Sequence, residues 1–231
     1  MPLINKKLLQ NTISKHKHEI GSSQKAELQT LFKQTLERID KKKFKSGRGL
    51  SVDKASLAPF GKEESEKVPF LQKMFELLGY KLHENLEFEF STRGRSIDGV
   101  LGLQTENGRN VEVAIEWKGI NTKSLDGGKA GETPVSQMWD YMGKVGAEIG
   151  IVGNFVEWRL YTLQTKQSEY HEFNLRTLAE NEDKLDELIF LLKKATLLKG
   201  QNKTCLLEDL VSQSEAEQEQ ITKRFYNDYK Q

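Results

Sequence analysis

The sequence feature that most constrains the fold is a pair of alternating segments on either side of Asn107-Gly108. Asn-Gly between alternating apolar residues is a strong hairpin signal, so two antiparallel strands are predicted before and after this turn. Successive side chains of a strand point to opposite faces of the sheet. The predicted apolar face of the hairpin therefore consists of Ile97, Leu101 and Leu103 on the first strand and Val111, Val113, Ile115 and Trp117 on the second.

The polar residues of the hairpin fall on the opposite face, and they are Asp98 on the first strand and Glu112, Glu116 and Lys118 on the second. In an antiparallel pair the numbers of facing residues have a constant sum. The sum that pairs Leu101 with Val113 also pairs Asp98 with Glu116. The apolar pattern alone therefore predicts that two carboxylates and a lysine ammonium meet on one side.

Two carboxylates beside a lysine are typical of a site for a hard cation. Mg²⁺ is bound by carboxylate oxygens and completes its shell with water and substrate phosphate. Such an ion polarises a phosphoryl group, and the lysine can orient or deprotonate a water molecule. The alternative is a half-buried hairpin with a solvated polar face. Apolar residues flank each charge, which favours a central strand, where charges are costly unless they are paired or used.

Asp98, followed eighteen residues later by Glu116-Trp117-Lys118, resembles the PD-(D/E)XK nuclease superfamily, with Ile97 in place of the proline. The resemblance implies an α/β fold with a restriction-endonuclease-like αβββαβ core, a mixed sheet flanked by helices, and helical N- and C-terminal extensions. It also implies that Asp98 and Glu116 bind Mg²⁺ and that Lys118 positions the attacking water.

The periodicities outside the hairpin predict, in chain order, a helix at 63–78, a strand at 81–90, a helix that begins at Thr133-Pro134, a second hairpin at 149–161 and a helical region at 178–198. With the first hairpin, this order matches the αβββαβ core that the resemblance implies. Trp158 and Tyr161 in the second hairpin are predicted to be core residues.

The resemblance adds further candidate residues to the site. Many nucleases of the superfamily supply a glutamate from the first helix, and Glu63 or Glu66 matches that position. Gln137 and Tyr141 lie four residues apart and hence on one face of their helix. This Gln-x-x-x-Tyr pattern is similar to a motif that one branch of the superfamily carries near the metal or the DNA backbone.

Three basic residues are candidate DNA contacts. Arg93 and Arg95 precede the proposed site, where arginines can clamp phosphate, and Lys129 lies in the Gly-rich segment 126–131 that follows it. The spacing of that segment does not fit a phosphate-binding P-loop. The alternative for both arginines is a solvent-exposed turn.

Charge and composition set broader limits. The net charge of +1 gives no indication of nucleic-acid binding, but the first 50 residues hold twelve Lys/Arg against four Asp/Glu. This arm contacts phosphate or is a solvated basic tail. Cys205 is the only cysteine, which excludes an internal disulfide and fits a cytoplasmic protein. No apolar run approaches the roughly 20 residues that span a bilayer.

Three regions are expected: a basic helical N-terminal arm (1–55), a nuclease core (56–175) and a helical connector (176–231). The connector resembles the start of the one that joins nuclease and methyltransferase in fused restriction–modification enzymes. The chain is thus expected to be the cleavage domain of a type IIG-like enzyme, truncated from a longer chain that holds the methyltransferase and recognition domains. Its expected substrate is double-stranded DNA, cut by a transient dimer. The alternatives are a catalytically inactive nuclease-like DNA-binding module and a helical interaction protein with an incidental E-x-K.

Overall fold

A computed structural model gives the fold and describes residues 2–16, 21–45, 63–92, 94–105, 108–120, 122, 124–128, 132–200 and 202–229. For 41–45, 63–66, 95, 103–105 and 108–109 it describes the backbone alone. In chain order the elements are α1 (Lys6–His16), α2 (Ser22–Lys45), α3 (Glu63–Leu77), β1 (Leu86–Thr92), β2 (Arg95–Thr105), β3 (Gly108–Trp117), α4 (Pro134–Val145), β4 (Ile149–Gly153), β5 (Glu157–Thr162), β6 (His171–Asn174), α5 (Leu175–Glu180), α6 (Glu182–Leu192), α7 (Lys194–Leu197) and α8 (Leu206–Asp228).

The six strands form one mixed sheet in the order of the sequence, from β1 to β6. All neighbouring strands are antiparallel except β3 and β4, which are parallel. A parallel pair needs a crossover connection, and α4 supplies it. Thr133 caps this helix by accepting the Ser136 N–H at 3.0 Å, as the sequence predicted. The predicted α/β class, with a mixed sheet flanked by helices, is confirmed.

The sheet separates two apolar clusters, so its central strands are buried on both faces. The larger cluster joins residues of α1–α3 and α5–α8 to Leu101, Val113, Ile115, Trp117 and Trp158 of the sheet. The smaller cluster lies under α4 and contains Val100, Ala114, Met138, Val152 and Tyr161. All residues of β3 from Val111 to Trp117 are buried, as expected for a central strand. Trp158 and Tyr161 are both 1 % exposed, which confirms that they are core residues.

The first hairpin forms with the predicted register near its centre, but a β-bulge changes its faces. Leu101 pairs with Val113, as predicted, whereas the pairing shifts by one residue between Leu101 and Gly102. Val111 therefore packs in the cluster under α4 instead of beside Val113. Glu112 likewise leaves the predicted polar face, and its carboxylate accepts the backbone N–H of Lys199 at 2.6 Å.

Ile97 also differs from its predicted position. It packs in the cluster under α4, whereas Leu101 packs in the larger cluster. The alternation fails because regular pairing of β2 with β3 begins only at Gly99. Nearby in β1, Glu89 has a φ of 52°, which breaks the extended backbone there.

Two other predicted elements have different bounds. The strand predicted at 81–90 begins only at Leu86, because Lys81–Asn85 form a turn in which the Asn85 side chain accepts the Lys81 N–H at 2.7 Å. The helical region predicted at 178–198 is divided among α5, α6 and α7. The division follows from Asn181, whose side chain accepts the Lys184 N–H and starts a new helix.

The terminal helices pack on the sheet through apolar faces. In α2, Leu28, Phe32 and Ile39 are buried in the larger cluster. The first half of α8 contributes Leu207, Leu210 and Val211 to the same cluster, whereas Ile221 and Phe225 in its second half are exposed. Among the helices that the structure describes, none is both long and apolar enough to cross a membrane. The division of the chain into three regions stays a prediction.

Candidate active site

Glu116 is an acidic side chain buried near the C-terminal end of a central strand. It is aligned with Val152 of the parallel strand β4, and Val152 belongs to the cluster under α4. Registered partners in a sheet project to the same face. Glu116 therefore projects toward the α4 side, with 3 % of its side chain exposed, and it forms an ion pair with Lys118.

Asp98 lies beside this strand end and is held by two donors. One carboxylate oxygen accepts the backbone N–H of Trp117 at 2.7 Å. The other pairs with the ammonium of Lys67 at 2.8 Å. The Asp98 side chain thus takes the place of a regular ladder hydrogen bond at this end of β2 and β3. The structure brings Asp98 to the E-x-K residues through the Trp117 N–H and pairs Glu116 with Lys118, whereas the predicted regular pairing of Asp98 with Glu116 is absent from the described register.

Two effects disfavour ionisation of Glu116 at this site. Burial and the charge of Asp98 raise the pKa of the Glu116 carboxyl from 4.5 to about 7. Lys118 and Lys67 act in the opposite direction and lower this pKa. Near neutral pH the protonated and ionised forms of Glu116 therefore have similar populations in the protein alone. A further positive charge at this place would stabilise both carboxylates.

Lys67 is a site residue that the sequence interpretation missed. It lies in the first two turns of α3, and its side chain is 7 % exposed. A weak signal was present, because Lys67 falls on the apolar stripe of its helix, with Leu71 and Met74 at helical spacing. A lysine on a buried helix face indicates a buried acidic partner, since an unpaired charge there is costly.

The donor set fits a magnesium ion. Mg²⁺ is usually held by one or two carboxylates and retains waters or substrate phosphates for its remaining positions. Asp98 and Glu116 supply two carboxylates at one strand end. In the described part of the chain, no group of three or more Asp, Glu, His and Cys residues is arranged to hold a metal ion. A metal site here would thus rely on two protein carboxylates. The ammonium of Lys67 already neutralises one of them, Asp98.

The other predicted acidic and basic residues are only partly described. α3 begins at Glu63, so Glu63 and Glu66 lie in the helix that brings Lys67 to Asp98, although only their backbone is described. Arg95 begins β2, again with backbone alone. Arg93 and Lys129 lie outside the described residues. The roles of these five residues stay predictions.

Gln137 and Tyr141 lie on α4, which packs against β3 and β4 on the side to which Glu116 projects. Both side chains are half-buried. The ammonium of Lys144 lies 5.9 Å from the centre of the Tyr141 ring. The structure thus places the pair in the helical layer over the Glu116 face, while the ion pairs around Asp98 and Glu116 are made by Lys67 and Lys118. A role for Gln137 and Tyr141 in the site stays a prediction.

The segment after Lys118 is fixed to the α4 face of the sheet, the face to which Glu116 projects. Leu125 is buried, and the guanidinium of Arg159 on β5 makes a bidentate contact with Asp126 at 2.8 and 2.9 Å. Arg159 also lies over the Tyr170 ring, 4.4 Å from its centre. Asn154 adds a hydrogen bond of 3.0 Å to the carbonyl of Thr122. These contacts fix the course of the chain as it leaves the E-x-K residues.

Comparisons of this chain with known proteins leave the site to be interpreted from its own chemistry. No family model matches the sequence, and neither a curated protein nor a solved structure matches it.

Proposed function

We propose that this protein is a Mg²⁺-dependent DNA endonuclease, the cleavage domain of a restriction–modification enzyme. The observation that carries the proposal is the meeting of Asp98, Glu116 and Lys118 at one end of β2 and β3. Two carboxylates in reach of one cation, beside a lysine ammonium, are the groups that phosphodiester hydrolysis requires. The order α3-β1-β2-β3-α4-β4 supports the same proposal, because it agrees with the αβββαβ order of the PD-(D/E)XK superfamily.

In the proposed reaction, Asp98 and Glu116 would hold the cation, and Lys118 would orient the attacking water and stabilise the negative charge that develops on it. When bound, Mg²⁺ supplies positive charge at the scissile phosphate. The water attacks phosphorus in line and loses a proton to bulk water as the new P–O bond forms, while the opposite P–O bond breaks and the leaving oxygen takes a proton from bulk water. Glu63 or Glu66 would add an outer carboxylate from α3. Because the described part of one chain offers one such site, cutting both strands requires two copies.

The test is plasmid nicking by the purified chain in Mg²⁺, in Ca²⁺ or in EDTA. We expect nicking in Mg²⁺ alone. Lys118→Ala should lose at least about a hundredfold in rate, which is the lower end of the effect of removing a group that stabilises developing negative charge. Lys203→Ala, which removes an exposed lysine far along the chain, serves as the matched control and should keep full activity. Nicking in EDTA, or full activity in Lys118→Ala, would reject the proposed mechanism.

A second function, a nuclease-like DNA-binding module without catalysis, is favoured by one specific observation. Both oxygens of Asp98 already accept hydrogen bonds, from Lys67 and from the Trp117 N–H. In such a module Asp98 would form a structural ion pair with Lys67 and would bind no metal ion. Such a module would bind duplex DNA equally in Mg²⁺ and in EDTA, with no nicking in either. A gel-shift assay under both conditions, run beside the nicking assay, separates the two functions.

A further inference from the structure

Lys67 is a largely buried lysine that forms an ion pair with a carboxylate of the candidate active site. Its ammonium lies 2.8 Å from an oxygen of Asp98, and only 7 % of its side chain is exposed. It also lowers the pKa of Glu116, so its charge reaches both carboxylates of the site. By contrast Lys73, on the same helix, pairs with Glu27 at 3.4 Å and is 53 % exposed.

The ammonium of Lys67 and a divalent cation compete for the same oxygen. Carboxylate oxygens bind Mg²⁺ at about 2.0–2.1 Å, so an ion on Asp98 would lie within a few ångströms of the ammonium. Like charges at that separation repel strongly where solvent is largely excluded. The cation and the ammonium therefore exclude each other from Asp98, or each weakens the other.

An ammonium displaced from Asp98 needs another acceptor, because a buried charge without a partner is costly. Glu116 is already paired with Lys118. The group that arrives together with the cation in the proposed reaction is the substrate phosphate, whose oxygens are strong acceptors for lysine.

We infer that Lys67 is a displaceable counter-ion, which neutralises Asp98 in the cation-free protein and contacts the DNA phosphate once a divalent cation has taken its place. This inference rests on the proposed function for the identity of the phosphate. It makes two predictions about binding. The cation should bind weakly without DNA, because it must displace Lys67. It should bind more tightly with DNA, because the released ammonium then has a partner.

The experiment measures Mn²⁺ binding by the full chain, from the electron paramagnetic resonance signal of free Mn²⁺, without and with a short DNA duplex. Lys67→Met removes the competing charge, Lys67→Arg keeps it, and Lys73→Met is the matched control on the same helix. Coupling between two ligands typically changes an affinity by roughly 5–150-fold. We therefore expect Lys67→Met to bind Mn²⁺ at least about fivefold more tightly than wild type without DNA.

Duplex DNA should tighten Mn²⁺ binding in wild type, Lys67→Arg and Lys73→Met, and it should do so much less in Lys67→Met. Thermal unfolding of each variant verifies its fold. Lys67→Gln, which can still donate a hydrogen bond to Asp98, replaces the methionine variant if that variant does not fold.

The outcomes separate this inference from the proposed function. If wild type binds Mn²⁺, Asp98→Asn does not, and Lys67→Met binds no more tightly than wild type, the metal site stands and the counter-ion role is wrong. If Lys67→Met gains affinity but DNA changes Mn²⁺ binding equally in all variants, the phosphate contact is wrong. If neither wild type nor Lys67→Met binds Mn²⁺, both the inference and the metal site are overturned.

Discussion

Ionising the Glu116 carboxyl costs more free energy than ionising a carboxyl at the protein surface. Its side chain has almost no contact with solvent, and Asp98 adds a second negative charge nearby. Both effects disfavour the ionised form. Lys118 and Lys67 offset them only in part, because the pKa still reaches about 7. The protein without a cation therefore holds an unfavourable charge at this residue above neutral pH.

This cost makes the stability of the protein depend on pH at Glu116. The pKa in the folded protein, about 7, is above the ordinary 4.5, so the contribution of Glu116 to stability is fully present below pH 4.5 and is lost as the pH rises through 7. Glu116→Gln cannot ionise. We expect its free energy of unfolding to exceed that of wild type at pH 8 by up to about 3 kcal/mol, and the difference to shrink toward pH 5. Urea denaturation in EDTA at both pH values measures it.

The matched control is Glu172→Gln, which makes the same chemical change at an exposed position on β6. Its effect should lie within about 0.5 kcal/mol at both pH values. A stability difference for Glu116→Gln that is the same at pH 5 and pH 8 would contradict the raised pKa.

The residues of the site differ in how far the sequence could predict them. The position of Glu116 follows from the alternation along β3. Asp98 lies outside the regular pairing of β2 with β3, and it reaches the site by accepting the Trp117 N–H. Lys67 is 31 residues from Asp98 in sequence, and its contact depends on how α3 lies at the end of the sheet. No local rule relates a helix residue to a strand residue across that separation.

At the scale of elements, the β-bulge of the hairpin decides which charges share a face. With regular pairing along the whole hairpin, Glu112 would lie on the same face as Glu116. Instead the register shifts between Leu101 and Gly102, and Glu112 binds the backbone of Lys199. The register shift brings the backbone of Gly102 so close to Asn110 that a Cβ at position 102 would overlap the Asn110 carbonyl. The bulge therefore requires a glycine.

We expect Gly102→Ala to lower the free energy of unfolding by about 1–3 kcal/mol, because the overlapping atom is backbone and the strands must shift to admit a methyl group. The matched control is Gly143→Ala in α4, where an added Cβ would meet nothing within 4 Å. Alanine is favoured over glycine in a helix by up to about 1 kcal/mol, so this control should be stabilised. Chemical denaturation of both variants measures the effects, and equal stability of the two would refute the close approach at Gly102.

The elements themselves were predictable where a pattern had both a period and a clear end. The α4 helix has a Thr-Pro start and an apolar stripe, and the structure begins it where the sequence predicted. The β-bulge is harder to predict from the sequence, although an isolated glycine within a strand pattern is a known signal for a bulge. The leucines of 178–198 recur without interruption and predict one helical region. Asn181 overrides that pattern by capping a new helix.

At the scale of the whole molecule, the N-terminal helices are part of the packing of the sheet. Phe32 of α2 is completely buried, and its ring lies 5.5 Å from that of Trp158 and 6.4 Å from that of Phe70. Trp158 in turn lies 5.4 Å from Trp117, the middle residue of E-x-K. One aromatic cluster thus joins α2, α3 and the strand that carries the candidate active site.

This cluster predicts that the N-terminal arm and the sheet unfold together. Phe32→Ala should lower the free energy of unfolding by about 3–5 kcal/mol, because it leaves a cavity beside two large aromatic rings. The loss should appear at the same urea concentration in tryptophan fluorescence and in far-ultraviolet circular dichroism. The fluorescence reports on Trp117 and Trp158 of the sheet and on Trp139 of α4, whereas circular dichroism reports mainly on the helices.

The control makes the same change where no packing is lost, in Phe225→Ala on the exposed second half of α8, where the side chain is 68 % exposed. Its free energy of unfolding should stay within about 0.5 kcal/mol of wild type. If Phe32→Ala instead loses helical signal first, at a urea concentration that leaves the tryptophan fluorescence native, α1 and α2 fold separately from the sheet. The stability of the candidate active site would then not depend on the N-terminal helices. A single shared transition means that any substitution in the interface of α2 with the sheet acts on the site as well, because both depend on the same folded unit.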